Sequence, residues 1–142
     1  MPPDRAAGPR ALALIVHSGS FEKVHYALAT AAAAAAVGRA VTLFFTMDAL
    51  QALAAEAGWR RLETADGRPA AAADAAYAGR GIADFESLLR SCAELKVRVM
   101  ACEMGLKAVG LGRRGLRDDI AIEEGGLATL MLEAAEASLL YV

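Results

Sequence analysis

Two cysteines and two histidines are the first candidates for chemistry in this sequence of 142 residues. Cys102 directly follows the strand-like run 97–101 and precedes a segment rich in helix-forming residues. In an α/β protein, ligand chemistry collects at the C-terminal ends of parallel strands. A thiol at such a point also lies at the start of the next helix, whose N-terminal amides favour the thiolate. Cys102 is therefore the candidate nucleophile of this chain.

The charged neighbours of Cys102 have opposing effects on its thiol. Glu103 disfavours the thiolate because it places a carboxylate beside it, whereas Lys107 lies about one helical turn away and has the opposite effect. The sequence leaves the direction of the net shift open. The alternative interpretation of Cys102 is a small buried hydrophobe without chemistry.

Cys92 has a different sequence context. It shares an apolar helical stripe with Phe85, Leu88, Leu89 and Leu95, which predicts plain core packing. The strand that follows this helix separates the two cysteines by roughly 15–20 Å, at about 3.3 Å per residue. A disulfide needs Cα atoms within about 7 Å, so we expect no bridge between them.

His17, Ser18 and Gly19 follow the first predicted strand and lead into the first predicted helix. His17 could assist a nearby thiol, and this turn could hold a phosphate. The turn lacks the lysine-ended pattern of a P-loop and the glycine spacing of a dinucleotide-binding motif, so a plain tight turn is the alternative. His25 lies within the first helix. These residues predict no metal site.

The overall composition argues against several classes of partner. Fifteen basic and seventeen acidic residues give a net charge of −2, and no basic run could neutralise several phosphates, which disfavours nucleic acid. The longest apolar run, 26–37, is too short to span a bilayer, so we expect no membrane partner. Two cysteines make no disulfide framework, and reduced thiols suit a cytoplasmic protein.

The domain organisation is simple. Residues 1–10 hold three of the four prolines and no apolar core of a signal peptide, so they are expected to form a disordered tail. Residues 11–142 are expected to form one α/β domain. Strand-like runs at 12–16, 41–46, 97–101, 120–122 and 139–142 alternate with helical segments, which predicts a parallel sheet covered on both faces.

The expected architecture is a flavodoxin-like three-layer α/β/α fold with a five-stranded parallel sheet in the order 2-1-3-4-5. This order would place the ends of the first and third strands side by side. The turn 17–19 would then share one crevice with Cys102, Glu103 and Met104.

The segment 59–81 has no clear hydrophobic period and is long for a connection in a compact domain. We expect it to be a mobile cover over the crevice of Cys102, with Arg80 facing the thiol. A solvated loop is the alternative.

Three segments of the chain resemble the DsrE/DsrF-like sulfur-trafficking family, in particular its single-chain branch labelled "peroxiredoxin family". Residues 31–50, AAAAAAVGRAVTLFFTMDAL, resemble its alanine-rich helix and "FFT" strand. Residues 97–110, VRVMACEMGLKAVG, are similar to its strand that ends in Ala-Cys. Residues 119–132 and the closing SLLYV resemble its Gly-Gly helix and last strand. One difference is that Gly105-Leu106 stand where relatives often have a Ser-Met pair.

The resemblance implies a flavodoxin-like domain that forms a homo-oligomer and holds sulfane sulfur as a persulfide on Cys102. Its implied partners are a small sulfur carrier of the TusA type or a rhodanese, and this chemistry needs no cofactor. Two alternatives come from other classes of function. One is a non-catalytic oligomeric interaction module with a buried Cys102, and the other is a flavin- or nucleotide-binding domain, which the fold alone suggests.

Overall fold

The computed structural model describes residues 9–142 of the chain. It contains one five-stranded sheet in which all neighbouring strands are parallel. The strands are β1 (Leu12–Val16), β2 (Val41–Phe45), β3 (Arg98–Cys102), β4 (Glu123–Gly125) and β5 (Ser138–Tyr141). The predicted flavodoxin-like α/β architecture with a five-stranded parallel sheet is confirmed.

The strand order is β4-β3-β2-β1-β5, so the predicted order 2-1-3-4-5 is wrong. From β1 to β4 the chain moves one strand over at each connection, always in the same direction. The last connection returns across the sheet to the free edge of β1. Since crossovers are right-handed, a return in the opposite direction must run over the opposite face. As a result, β2 lies between β1 and β3.

Five α-helices accompany the sheet: α1 (Phe21–Ala36), α2 (Ala70–Gly79), α3 (Phe85–Glu94), α4 (Glu103–Val109) and α5 (Leu127–Glu133). The side chains of Ser20 and Asp84 cap α1 and α3 by accepting hydrogen bonds from backbone amides in the first turns. Such caps satisfy amides that have no partner within the helix. α1 and α3 pack against each other on one face of the sheet.

The two faces of the sheet have very different cores. Alternate residues of β1, β2 and β3 pack with α1 and α3 in a large apolar cluster. The opposite face holds a small cluster of four buried residues: Phe44, Met100, Cys102 and Leu130. Leu130 is the buried residue that α5 contributes. One short helix therefore covers this second face.

The segment 59–81 has regular structure and joins the larger core, contrary to the predicted mobile cover. A 3-10 helix, Gly58–Arg61, is followed by α2. Trp59 is buried and stacks on Phe85 with ring centroids 4.9 Å apart. The carboxylate of Asp74 accepts a hydrogen bond of 2.8 Å from the backbone amide of Phe85, which ties α2 to the start of α3.

Two further elements differ from their predictions. Asp48 and the helix-forming residues that follow it up to Gly58 predict an α-helix, but this segment forms a 3-10 helix, Met47–Leu53. The fourth strand lies at β4, three residues beyond the predicted 120–122. β4 is an edge strand, where exposed charged side chains are tolerated. Glu123 pairs with Arg98 of β3 at 2.5 Å, which supports the observed register.

The predicted disordered tail falls mostly on residues 1–8, which lie outside the described residues. Its last residue, Arg10, accepts a hydrogen bond of 2.5 Å at its carbonyl from the Arg39 side chain. Within residues 9–142, no helix combines the length and the apolar character needed to cross a membrane.

Candidate functional site

Cys102 ends β3 and immediately precedes α4, as the sequence predicts. Its Sγ accepts a hydrogen bond of 3.4 Å from the backbone amide of Gly105 in the first turn of α4. The position follows from the sequence pattern, because β3 is apolar up to Cys102 and helix-forming residues begin directly after it. The thiol therefore has a fixed backbone donor beside its sulfur.

The thiol of Cys102 is buried, with an exposed fraction of 3%. It lies in the small core with Phe44, Met100 and Leu130. Sequence analysis did not identify Leu130 as part of this core, because α5 joins it only through the return crossover over the second face. A reagent or partner can therefore reach the sulfur only when the fold opens locally.

Gly105 allows α4 to approach the end of β2 very closely. A Cβ atom at Gly105 would lie 2.6 Å from Oγ1 of Thr46 and 2.7 Å from the backbone nitrogen of Met47. Real Cβ atoms do not make contacts this short, and Met47 itself has a φ of 50°, a strained conformation for a non-glycine residue. Glycine at position 105 is thus required by this packing. Thr46 and Met47 are site neighbours that the sequence analysis missed.

The predicted crevice is divided into two separate depressions at the C-terminal edge of the sheet. Ser18 and Gly19 line one of about 500 Å³, together with Asp48. Glu103 and Lys107 line another of about 510 Å³. The prediction of one shared crevice is wrong, because β2 lies between the strands that carry these residues.

Three further predicted site residues do not meet around the sulfur. His17 is exposed, and its ring centroid lies 5.7 Å from that of Tyr141 in β5. Met104 is exposed on α4. Arg80 is exposed and directly follows α2, which packs in the larger core, whereas Cys102 lies in the smaller one. The structure thus gives no support for Arg80 facing the thiol.

Cys92 has the core position that its helical stripe predicts. It is fully buried in α3, and its thiol donates a hydrogen bond of 3.4 Å to the carbonyl of Leu28. Burial raises the pKa of the Cys92 thiol to about 11, so it stays protonated at neutral pH. Both cysteines are free. Of the two, Cys102 is the one that adjoins a helix start.

No group of three or more histidine, cysteine, aspartate or glutamate side chains within residues 9–142 could hold a metal ion. The candidate site therefore consists of a single thiol, its backbone donor and an apolar cover.

No protein-family model matches the chain, and no curated protein matches it either. Two solved structures are similar over 94% of this chain and 100% of their own. MTH1491, a protein of unknown function from Methanobacterium thermoautotrophicum, is 11% identical with a TM-score of 0.63. The ychN protein from E. coli is 17% identical with a TM-score of 0.59. These likenesses show that the chain shares its fold with MTH1491 and ychN.

Proposed function

We propose that this protein carries sulfane sulfur as a persulfide on Cys102 and passes it to an acceptor thiol. The observation that carries the proposal is the free Cys102 thiol between β3 and α4, with the Gly105 amide 3.4 Å from its sulfur. A persulfide carrier needs one such cysteine and a surface for its partners.

The transfer consists of two displacements at sulfur. The Cys102 thiolate attacks the outer sulfur of a donor persulfide, so that a new S–S bond forms, the donor S–S bond breaks and the donor leaves as a thiolate. An acceptor thiolate then attacks the outer sulfur of the Cys102 persulfide and releases the Cys102 thiolate. The sulfane sulfur changes carrier without net oxidation or reduction, so no redox cofactor takes part.

We infer a role for α5 in this chemistry from the core that its Leu130 shares with Cys102. α5 has seven residues, and Leu130 is its buried one. A short helix with so few buried contacts belongs to the least stable parts of a fold, which open locally without global unfolding. Displacement of α5 would expose the sulfur to a docked partner and otherwise shield a persulfide from water and stray thiols.

The resemblance of segments 31–50, 97–110 and 119–132 to DsrE/DsrF-like proteins supports the same function. In that context the partners are a small sulfur carrier of the TusA type or a rhodanese. The protein would act in the cytoplasm, whose reducing conditions keep both thiols free.

Peptide mass spectrometry after incubation with inorganic polysulfide tests the proposal. We expect a gain of about 32 Da, one sulfur atom, on the peptide that contains Cys102. The Cys92→Ser variant should keep this gain, and the Cys102→Ser variant should lose it. The same treatment in urea shows that both peptides can be detected. Modification of Cys92 alone in the folded protein would refute the assignment.

The second candidate is a non-catalytic oligomeric interaction module. Two observations favour it: the Cys102 thiol is buried, and β5 presents apolar side chains to solvent. In this case the folded protein should gain no sulfur at Cys102, even during long exposure to polysulfide. The mass experiment therefore separates the two candidates.

A further inference from the structure

The cavity of about 500 Å³ at the end of β1 has walls of polar side chains and takes no part in the proposed sulfur transfer. One wall is the turn after β1, with Ser18 and Ser20, and the second is the 3-10 helix after β2, with Asp48 and Gln51. The segment 61–65 forms the third wall. Ligands of open α/β sheets bind outside the carboxyl ends of the strands, and small-molecule sites occupy roughly 300–1,000 Å³. The place and the size of this cavity therefore suit a small ligand.

Backbone contacts fix the position of these walls before any ligand binds. The amide of Glu63 donates a hydrogen bond of 2.9 Å to the carbonyl of Gly19, and the amide of Phe21 donates one of 2.7 Å to the carbonyl of Glu63. Gly19 also approaches Asp48 closely, since a Cβ atom at Gly19 would lie 2.9 Å from Cβ of Asp48. A site whose walls are already ordered loses less conformational entropy when a ligand binds.

Charges of both signs line this cavity without pairing. Asp48, Arg61 and Glu63 are exposed, and none of the three forms an ion pair within residues 9–142. The Arg61 guanidinium instead donates a hydrogen bond of 2.9 Å through Nε to Oε1 of Gln51. This contact holds the guanidinium at the cavity and leaves its terminal nitrogens for a ligand. The cavity therefore offers one positive and two negative groups that a bound molecule can bridge.

These charges disfavour the phosphate that the turn after β1 could hold on sequence grounds alone. The amides of Phe21 and Lys23 in the first turn of α1 already donate to the carbonyl of Glu63 and to the hydroxyl of Ser20. The carboxylates of Asp48 and Glu63 repel an anion that carries negative charge only. A ligand that binds the one guanidinium through a negative group must therefore bring a positive group for the two carboxylates.

We propose that this cavity binds a free α-amino acid, a small ligand that carries both an ammonium and a carboxylate group. The carboxylate binds the terminal nitrogens of Arg61, because a guanidinium matches a carboxylate with parallel hydrogen bonds. The ammonium binds the carboxylates of Asp48 and Glu63, which are acceptors only. The Ser18 hydroxyl accepts a hydrogen bond of 3.1 Å from the amide of Ser20, so its own proton is left to donate to the ligand carboxylate.

The amino-acid site is separate from the Cys102 thiol and does not depend on sulfur transfer. Its walls follow β1 and β2, whereas Cys102 ends β3 and is buried in the small core. The ligand would therefore bind to the protein whether or not the thiol carries sulfur. The Cys102→Ser variant should bind the amino acid as the wild type does, so failure of one proposal leaves the other standing.

Nuclear magnetic resonance of isotope-labelled protein tests the site, with the standard L-amino acids as probes. Titration to about 10 mM covers the millimolar affinity expected of so few charge-assisted contacts. At least one amino acid should shift the amide signals of Gly19, Asp48 and Glu63 until they saturate, and it should leave the signal of Cys102 in place. The methyl ester of that amino acid lacks the carboxylate charge, and its N-acetyl derivative lacks the ammonium. Each should bind at least about fivefold more weakly.

Two substitutions each remove one half of the site, and the amide spectra show whether each variant is folded. Arg61→Gln should weaken binding of the amino acid at least about fivefold and leave binding of its methyl ester unchanged. Asp48→Asn should weaken binding of both, because both carry the ammonium. Arg60→Gln is the matched control, since the Arg60 guanidinium lies over the Trp59 ring and not in the cavity, and it should change neither affinity. The absence of any saturable shift in the cavity, equal affinities for the amino acid and its two derivatives, or tighter binding of inorganic phosphate would overturn the proposal.

Discussion

Replacement of Leu130 by alanine should expose the Cys102 thiol without unfolding the protein. Leu130 is fully buried and belongs to the same small core as Phe44, Met100 and Cys102. Loss of a buried leucine side chain costs about 2–5 kcal/mol. We expect a value near 2–3 kcal/mol here, because α5 lies at the surface and can partly collapse into the space. Most of this loss should appear as a lower free energy for the local opening of α5, so that α5 opens more often.

The expected effect on reactivity follows from this free energy. If reagents reach Cys102 only when α5 opens, a loss of about 2–3 kcal/mol raises the open population about 30- to 150-fold. The alkylation rate of Cys102 by N-ethylmaleimide should rise by the same factor. Peptide mass spectrometry of quenched samples measures the rates of both cysteines in the same molecule.

Two controls make this experiment decisive. Cys92 lies in the larger core and should keep its slow rate in the Leu130→Ala variant. Leu132→Ala removes the same side chain from the same helix at a position that is 80% exposed, and it should leave the rate of Cys102 unchanged. An unchanged rate in Leu130→Ala, or a parallel rise at Cys92, would refute the assignment of α5 as a local cover.

Three other substitutions test the packing and the charges around the fold. Gly105→Ala should lower the melting temperature by about 3–10 °C through overpacking. Gly79→Ala should not lower it, because the added Cβ atom meets open space in α2. Equal melting temperatures of the wild type and Gly105→Ala would contradict the close approach of α4. Asp74→Asn should stabilise the protein at pH 7, because burial raises the pKa of Asp74 and disfavours its ionised form. Urea titrations should show that this gain in the free energy of unfolding disappears as the pH falls through the raised pKa of Asp74 towards 3.8. A gain that does not change with pH would contradict this prediction. Arg117→Met should lower the free energy of unfolding by about 1–3 kcal/mol at pH 7. Because the Arg117 hydrogen bond lowers the pKa of Glu86, the wild type should lose stability as the pH falls below about 4.5, and the variant should lose less; identical acid sensitivity would contradict the pairing.

The sequence was sufficient to predict the elements that have a clear hydrophobic pattern. β1 is a short continuous apolar run, β2 is rich in β-branched and aromatic residues, and α3 has a clean apolar stripe that includes Cys92. Such patterns are local, because they reflect which faces of an element are buried. The position of Cys102 between strand and helix followed from the same local signals.

The helix α2 could not be predicted from its pattern because most of its residues are alanine. Its buried Ala70 and Ala73 look like its exposed alanines in the sequence, so no period stands out. β4 was missed because its Glu123 and Glu124 do not resemble a buried strand. In both cases contacts with distant parts of the chain decide the structure, and the local side-chain pattern gives no signal of them.

The strand order could not be predicted, because the local patterns are the same in either order. What distinguishes them is the face that α3 covers: α3 packs beside α1 in the structure, whereas the predicted order would place these two helices on opposite faces of the sheet. The burial of Cys102, which the sequence left open as an alternative, could not be decided from local patterns either. The sequence could place the thiol at a strand end, yet the core that buries it includes Leu130 of α5, which lies elsewhere in the sequence and joins this core only in the folded sheet.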